Sequence, residues 1–257
     1  MSNLQHHQKI KGHFYAGTSG LVLPVPNKQA FPVAFKDKSR LTYYASLFNS
    51  LEVNSSFYKV PMAVTVKRWA TEVPENFRFT FKLHRGVTHN KTLAFEDSEV
   101  ERFMEIIDAA GEKKGALLVQ FPGGTRFDSF AQFEHLLRVI RQCDPQEKWD
   151  VCVEFRHSSW YMAETYEVLS EYHATMVRHD MPKSKPPELQ SAVGFEYLRF
   201  HGPAGDYKGG YTAATLKKHA DRINIWLKEG KRVYTYFNNT IGDALKDLQT
   251  LTDLVRT

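Results

Sequence analysis

Eight short stretches of this chain alternate apolar and polar residues with a period of two, and their polar faces gather towards the C-terminal ends. A period of two is the signature of a strand whose successive side chains point to opposite faces. The fifth stretch, Asp150-Val-Cys-Val-Glu-Phe-Arg-His157, shows the consequence. Val151, Val153 and Phe155 share one face, and Cys152, Glu154 and Arg156 share the other. A carboxylate and a guanidinium on so short a strand are costly to bury unless they are paired or used. The other stretches repeat the pattern. Phe77, Phe79, Phe81 and Leu83 oppose Arg78, Thr80, Lys82 and His84, and Leu198 and Phe200 oppose Tyr197, Arg199 and His201.

Taken in order, the predicted strands are His13–Ser19, Leu51–Ser56, Phe77–His84, Ala116–Phe121, Asp150–His157, Ala174–Asp180, Phe195–His201 and Arg232–Asn238. Helical patterns follow nearly all of them: Ser39–Phe48, Ala63–Glu72, Glu99–Lys113, Ser129–Arg141, Ser159–His173, Ala213–Lys228 and Asp243–Val255. The exception is Met181–Glu188, whose three prolines predict an irregular connection between strands 6 and 7. Strand–helix alternation of this length implies an α/β fold, a TIM-like (β/α)8 barrel in a single domain over residues 13–257. Residues 1–12 read as a flexible N-terminal tail. An open doubly wound sheet competes, but its strands tend to be apolar on both faces.

Composition narrows the partners. The formal charge of +5, from 34 basic and 29 acidic residues, favours an anionic partner, a small molecule or a nucleic acid. Cys143 and Cys152 form neither a disulfide framework nor a CxxC spacing, so a reducing cytoplasm is the expected compartment. No apolar run approaches the roughly 20 residues that span a bilayer, so no membrane partner is expected. Oligomeric state is not legible.

The chain resembles the YecE-like family, a group defined as a domain of unknown function. The resemblance is carried by Gly17-Thr-Ser-Gly20, Glu52-Val-Asn54-Ser-Ser56-Phe-Tyr58, Phe81-Lys82 with His89, and Gln120-Phe-Pro122. It continues through Glu154-Phe-Arg156-His157-Ser-Ser-Trp160, Arg199-Phe-His201-Gly202-Pro203 and Tyr234-Thr-Tyr236-Phe-Asn238-Asn239. The chain departs from the family pattern at Leu21, where tryptophan is usual, so the loop from Leu21 to Lys38 is expected to line the mouth differently. The resemblance implies a TIM-barrel-like fold and no settled reaction.

One barrel end would collect Glu52, Asn54, Lys82, Gln120, Glu154, Arg156, Asp180, Arg199, His201, Tyr236 and Asn238. Lysine and arginine side chains from separate strands suit a phosphate or carboxylate. The glycine-rich loop Gly202–Gly210 follows strand 7, where barrels often hold phosphate. Glu154 is the candidate general base, with Glu52 or His201 as partner. Against this stands a structural reading, a buried ion pair of Glu154 with Lys82 or Arg199. Tyr207 and Tyr211 could stack on a base or sugar, and Asn238 and Asn239 could orient a substrate. Glu52, Glu154, His157, His179, Asp180 and His201 are acceptable ligands for a divalent metal. The neighbouring cations and the lack of HxH, HExxH or DxD spacing disfavour one, and no cofactor is assigned. The leading expectation is phosphoester hydrolysis of a phosphorylated or nucleic-acid-derived substrate. Barrel endonucleases acting at abasic sites are the analogy, although they depend on clustered metal ligands. The alternatives are a non-catalytic polyanion binder and a sugar or sugar-acid isomerase.

Overall fold

The computed structural model describes residues 12–188 and 191–255. Of the expected tail, only Gly12 falls within them, and its amide donates to Leu227 O at 2.9 Å. Among the described residues the strands are β1 (His13–Thr18), β2 (Ser50–Val53), β3 (Arg78–Lys82), β4 (Lys114–Gln120) and β5 (Asp150–Glu154). They continue with β6 (Thr175–Met176), β7 (Arg178–His179), β8 (Phe195–Phe200) and β9 (Arg232–Phe237). The α-helices are α1 (Arg40–Leu47), α2 (Ala63–Thr71), α3 (Arg85–Thr88), α4 (Asp97–Asp108), α5 (Phe130–Cys143), α6 (Ala163–Glu171), α7 (Ala213–Lys228) and α8 (Ala244–Leu254).

Every strand pair is parallel, in the orders β1-β9-β8-β7 and β2-β3-β4-β5-β6. Two seams turn these sheets into a TIM-like barrel. The sixth predicted strand is divided at Val177, whose amide donates to Val153 O before Arg178 joins β8 opposite Leu198. Between β1 and β2 the backbones meet only at Ser19 and Glu52, with Gly20 N donating to Glu52 O at 2.8 Å. Below that bridge, side chains do the pairing. Asn49 accepts from Ala16 N at 2.9 Å and donates to Phe14 O at 2.8 Å. The Tyr44 hydroxyl accepts from Thr18 N at 2.8 Å and donates to Ser50 O at 3.1 Å. Gly17 is required there, because a Cβ would lie 2.0 Å from Ser50 O.

The outward strand faces build the core. Phe79, Phe81, Leu117, Val119, Val151 and Val153 pack with Val100, Phe103, Phe133 and Leu137 of α4 and α5. Leu198, Phe200, Val233 and Phe237 meet Leu216, Ile223, Leu248 and Leu251 of α7 and α8. Each such side chain, fully withdrawn from water, contributes about 1.5–3 kcal/mol. The barrel interior holds Tyr15, Leu118, Cys152, Tyr197, Tyr234 and Tyr236.

Several boundaries differ from the sequence expectation, among them the end of α4, at Asp108 rather than Lys113, and three beside the barrel mouth. The second strand stops at Val53, and Asn54–Phe57 turns into a 3-10 helix. There the Ser56 hydroxyl donates to both Val53 O and Lys82 O at 2.7 Å, a side-chain bond that competes with strand extension. The fifth strand stops at Glu154, and α6 starts at Ala163 rather than Ser159. The intervening turn, Ser158–Trp160, begins where His157 Nδ1 accepts from Ser159 N. After β7, the described part of Met181–Glu188 forms one 3-10 turn, Pro182–Ser184, and no α-helix. This leaves a cavity of about 120 Å³ beside Leu198, Phe200, Trp226 and Pro186. No described helix is long and apolar enough to cross a membrane.

Candidate active site

Parallel register sets the site. Glu52, next to last in β2, forms the bridge to Ser19, Gln120 and Glu154 are paired across β4 and β5, and Arg199 lies opposite Tyr236 on β9. Each side chain points inward because its two neighbours on the strand are apolar and face the helices. Arg199, 1 % exposed, is the centre of the cluster. Its guanidinium donates to both Glu52 oxygens, at 2.6 and 2.9 Å, and to Glu154 Oε2 at 2.7 Å. Tyr197 donates to Glu52 Oε2 at 2.6 Å, and Arg156 pairs with Glu154 Oε1. Burial pushes the Glu52 and Glu154 carboxyls up. The Arg199 charge, together with hydrogen bonds at Glu52 and with Arg156 and the neighbouring histidines at Glu154, outweighs this and holds both below the ordinary glutamate range. Glu154 is therefore an ionised carboxylate with both oxygens engaged, in the buried ion pair that the structural reading named.

His201 lies directly above Arg199 on the same strand face and is fully buried. Its backbone N–H donates to Asp180 Oδ1 at 2.8 Å, and Nδ1 stands 3.2 Å from the same oxygen. Tyr211 bonds the other Asp180 oxygen while accepting from Gly202 N at 2.6 Å. The Tyr211 hydroxyl thus ties Asp180 to the start of the glycine-rich loop. Burial pushes the His201 imidazole down, against the Asp180 hydrogen bond and the Glu154 charge. A neutral ring with Nδ1–H on Asp180 leaves the Nε2 lone pair facing Arg156 NH2 at 3.0 Å and Arg199 NH1 at 3.2 Å. This is an oriented proton acceptor.

Lys82, 7 % exposed, completes the ring of polar groups. Its ammonium sits 3.9 Å from the centre of the Phe57 ring. Among the described residues it has no ion pair and no hydrogen bond. Burial and then the Arg199 charge depress it to about 8. The edge of His89 also meets Phe57, at 4.7 Å between ring centres, and burial, Lys82, Arg85 and Arg156 hold its imidazole near 4. Asn54, on the turn that carries Phe57, has a buried Oδ1 without a partner.

The remaining candidates divide. Gln120 lies on the inner wall beside Glu154 and donates to Phe121 O. Tyr207, 37 % exposed, covers His201 edge-on at 5.7 Å. Asn238 is half-buried at the end of β9. Tyr236 lies deeper, with its hydroxyl on Ser50 at 2.5 Å and Thr80 at 2.8 Å, as part of the packed interior. Asn239 ties loop to helix, donating to Gly209 O and Asp247, although its own Oδ1 is unpartnered. Among the described residues, no three His, Cys, Asp or Glu side chains are placed to hold a metal ion. The acidic candidates already serve Arg199, Arg156, Tyr197, His201 and Tyr211, while His157 caps a turn and His179 bonds Phe155 O. Tyr197 and Phe57 are contributors that sequence reasoning missed. Tyr197 shares a face with Arg199 and His201, which was the available signal, whereas Phe57 was marked only by its place in the Glu52–Tyr58 motif.

Comparison with known proteins agrees with this architecture. UPF0759 protein YunF of Bacillus subtilis is 25 % identical over 248 residues, covering 84 % of this chain and 86 % of YunF. A DUF72 family protein of Enterococcus faecalis superposes with a TM-score of 0.77 at 21 % identity, over 94 % of this chain and 95 % of that one. A family 2 AP endonuclease from Brucella melitensis shares the fold with a TM-score of 0.54 at 13 % identity, over 88 % and 92 % of the two chains. The family described as protein of unknown function DUF72 matches residues 15–257, so the chain belongs to that family, the YecE-like group its motifs resemble.

Proposed function

We propose that the barrel mouth binds a small anionic ligand, phosphorylated or nucleic-acid-derived, and that Lys82 and Arg156 hold its anion. The observation that carries this reading is Lys82. Burying an ammonium without a counter-charge is unfavourable, and a ligand anion would supply the missing partner. Among the described residues the Oδ1 of Asn54 on the neighbouring turn has no partner, and it would accept from a hydroxyl of the ligand rather than bond its anion. Arg156 is the less buried of the two guanidinium groups on Glu154. An anion that draws Arg156 outward would leave the Nε2 of His201 with the longer contact to Arg199 NH1 as its remaining guanidinium neighbour.

On a phosphoester, this set supports hydrolysis. Lys82 and Arg156 would stabilise charge developing on the phosphoryl oxygens, and His201 would accept the proton of the attacking water. Glu154 and Glu52 then fix the guanidinium groups and do not take the proton.

Calorimetric titration with inorganic phosphate and with a nucleoside monophosphate tests the binding. Lys82→Gln should weaken it by about 10- to 100-fold, the value of a charge-assisted hydrogen bond. Absence of saturable binding to wild type, or equal affinity in the variant, would overturn the reading. For hydrolysis, His201→Gln should stop phosphate release from a phosphomonoester while leaving phosphate binding in place.

A further inference from the structure

Lys82 is the buried nucleophile in the mouth whose own lone pair the binding reading leaves unused. We propose that Lys82 condenses with the carbonyl carbon of an anionic aldehyde or ketone held at the mouth, an inference that rests on the anion-binding reading above. Three features support it. The nitrogen has no hydrogen-bond or ion-pair partner among the described residues, so nothing has to be broken before it attacks. One side of it lies on the Phe57 ring, which removes water, and burial first and then the Arg199 charge disfavour its protonated form, with Glu154 and Glu52 opposing. Desolvation beside other cations is the usual way in which a lysine becomes a nucleophile. With the ammonium depressed to about 8, the free amine at neutral pH is about two orders of magnitude more abundant than on a surface lysine. His89, against the same Phe57 ring, is held neutral.

The step balances without a co-reactant. The Lys82 nitrogen forms a bond to the carbonyl carbon, and one N–H proton moves to the carbonyl oxygen to give a carbinolamine. The C–O bond then breaks, the second N–H proton leaves with the oxygen as water, and an imine remains. The charge beside the carbonyl selects the substrate class. A phosphorylated aldehyde or a 2-oxo acid is held by Arg156, and a neutral aldehyde is not.

Reduction with borohydride converts such an imine to a stable secondary amine that mass spectrometry can place. Wild type incubated with glyceraldehyde 3-phosphate or with pyruvate should gain one adduct on the peptide containing Lys82. Neutral glyceraldehyde should label that peptide about tenfold less, the contribution of one charge-assisted contact. Lys82→Arg has no primary amine, so it should take no adduct at this position while the background on surface lysines stays as in wild type. Labelling spread over surface lysines and unchanged in Lys82→Arg would overturn the inference. Wild type that binds phosphate but takes no adduct would remove the nucleophile and leave the binding reading intact. Wild type that neither binds phosphate nor takes an adduct would remove both.

Discussion

Arg199 faces two carboxylates inside the barrel, and the arithmetic of buried charge makes its removal asymmetric. Replacing a whole buried ion network by apolar groups is often neutral, but removing one member strands the others. Arg199→Met leaves Glu52 and Glu154 without their main counter-charge, and we expect a loss of about 3–5 kcal/mol in urea-induced unfolding. Adding Glu52→Gln and Glu154→Gln to it should recover part of that loss. Tyr211→Phe is milder. It removes the donor to Asp180 and the acceptor for Gly202 N, worth about 1–3 kcal/mol, and frees Asp180 from one of its two anchors. Most of this cluster was legible, because Glu154, Arg199 and His201 are polar residues on the inward positions of otherwise apolar strands. The pairing itself was not. Sequence alternation says which way a side chain points and nothing of which carboxylate it meets across the barrel, so the isolation of Lys82 was invisible.

At the scale of elements, the seam between β1 and β2 is one of two irregular joins in the barrel. Two side chains from the α1 region, Tyr44 and Asn49, replace the backbone ladder that other strand pairs have. Asn49→Ala removes two hydrogen bonds and leaves Ala16 N and Phe14 O unsatisfied. We expect about 2–4 kcal/mol of destabilisation from the two orphaned groups, with faster hydrogen exchange at Ala16 and Thr18 than elsewhere in β1. Exchange that stays uniform along β1 would mean that the seam is held by other contacts. The eight strand positions and the irregular connection after the sixth were readable from alternation and proline. The boundaries were less so after Val53 and Glu154, where the Ser56 hydroxyl and the His157 ring bond the backbone and stop a strand or delay a helix. The division of the sixth strand at Val177 left no mark in the sequence, since it depends on which neighbour each half pairs with.

For the whole molecule, the site works against the fold in one place, and pH exposes it. Glu52 and Glu154 have folded values below the roughly 4.3 of a free glutamate, so their contribution is complete above that pH and is lost as acid carries the protein through the folded values. His179, near 4, and His201 are buried neutral, so the folded state also loses ground once pH drops below about 6.5. Lys82 has the opposite slope. Its folded value of about 8 lies below the roughly 10.4 of an exposed lysine, so between the two the unfolded chain holds more protons. Stability from this group therefore rises with pH over that window, and below it the buried ammonium costs up to about 3 kcal/mol. Lys82→Met should accordingly be more stable than wild type at pH 7, by about 1–3 kcal/mol, and the gap should close as pH rises from 8 towards 10.5. The comparison of the two proteins cancels the titration of tyrosines and other lysines that they share. A destabilised variant, or a gap independent of pH, would show that Lys82 is a structural cation with a partner in the folded state. The expected result would mean that the unliganded barrel gives up stability to keep one charge unmatched, as a site that waits for an anion requires.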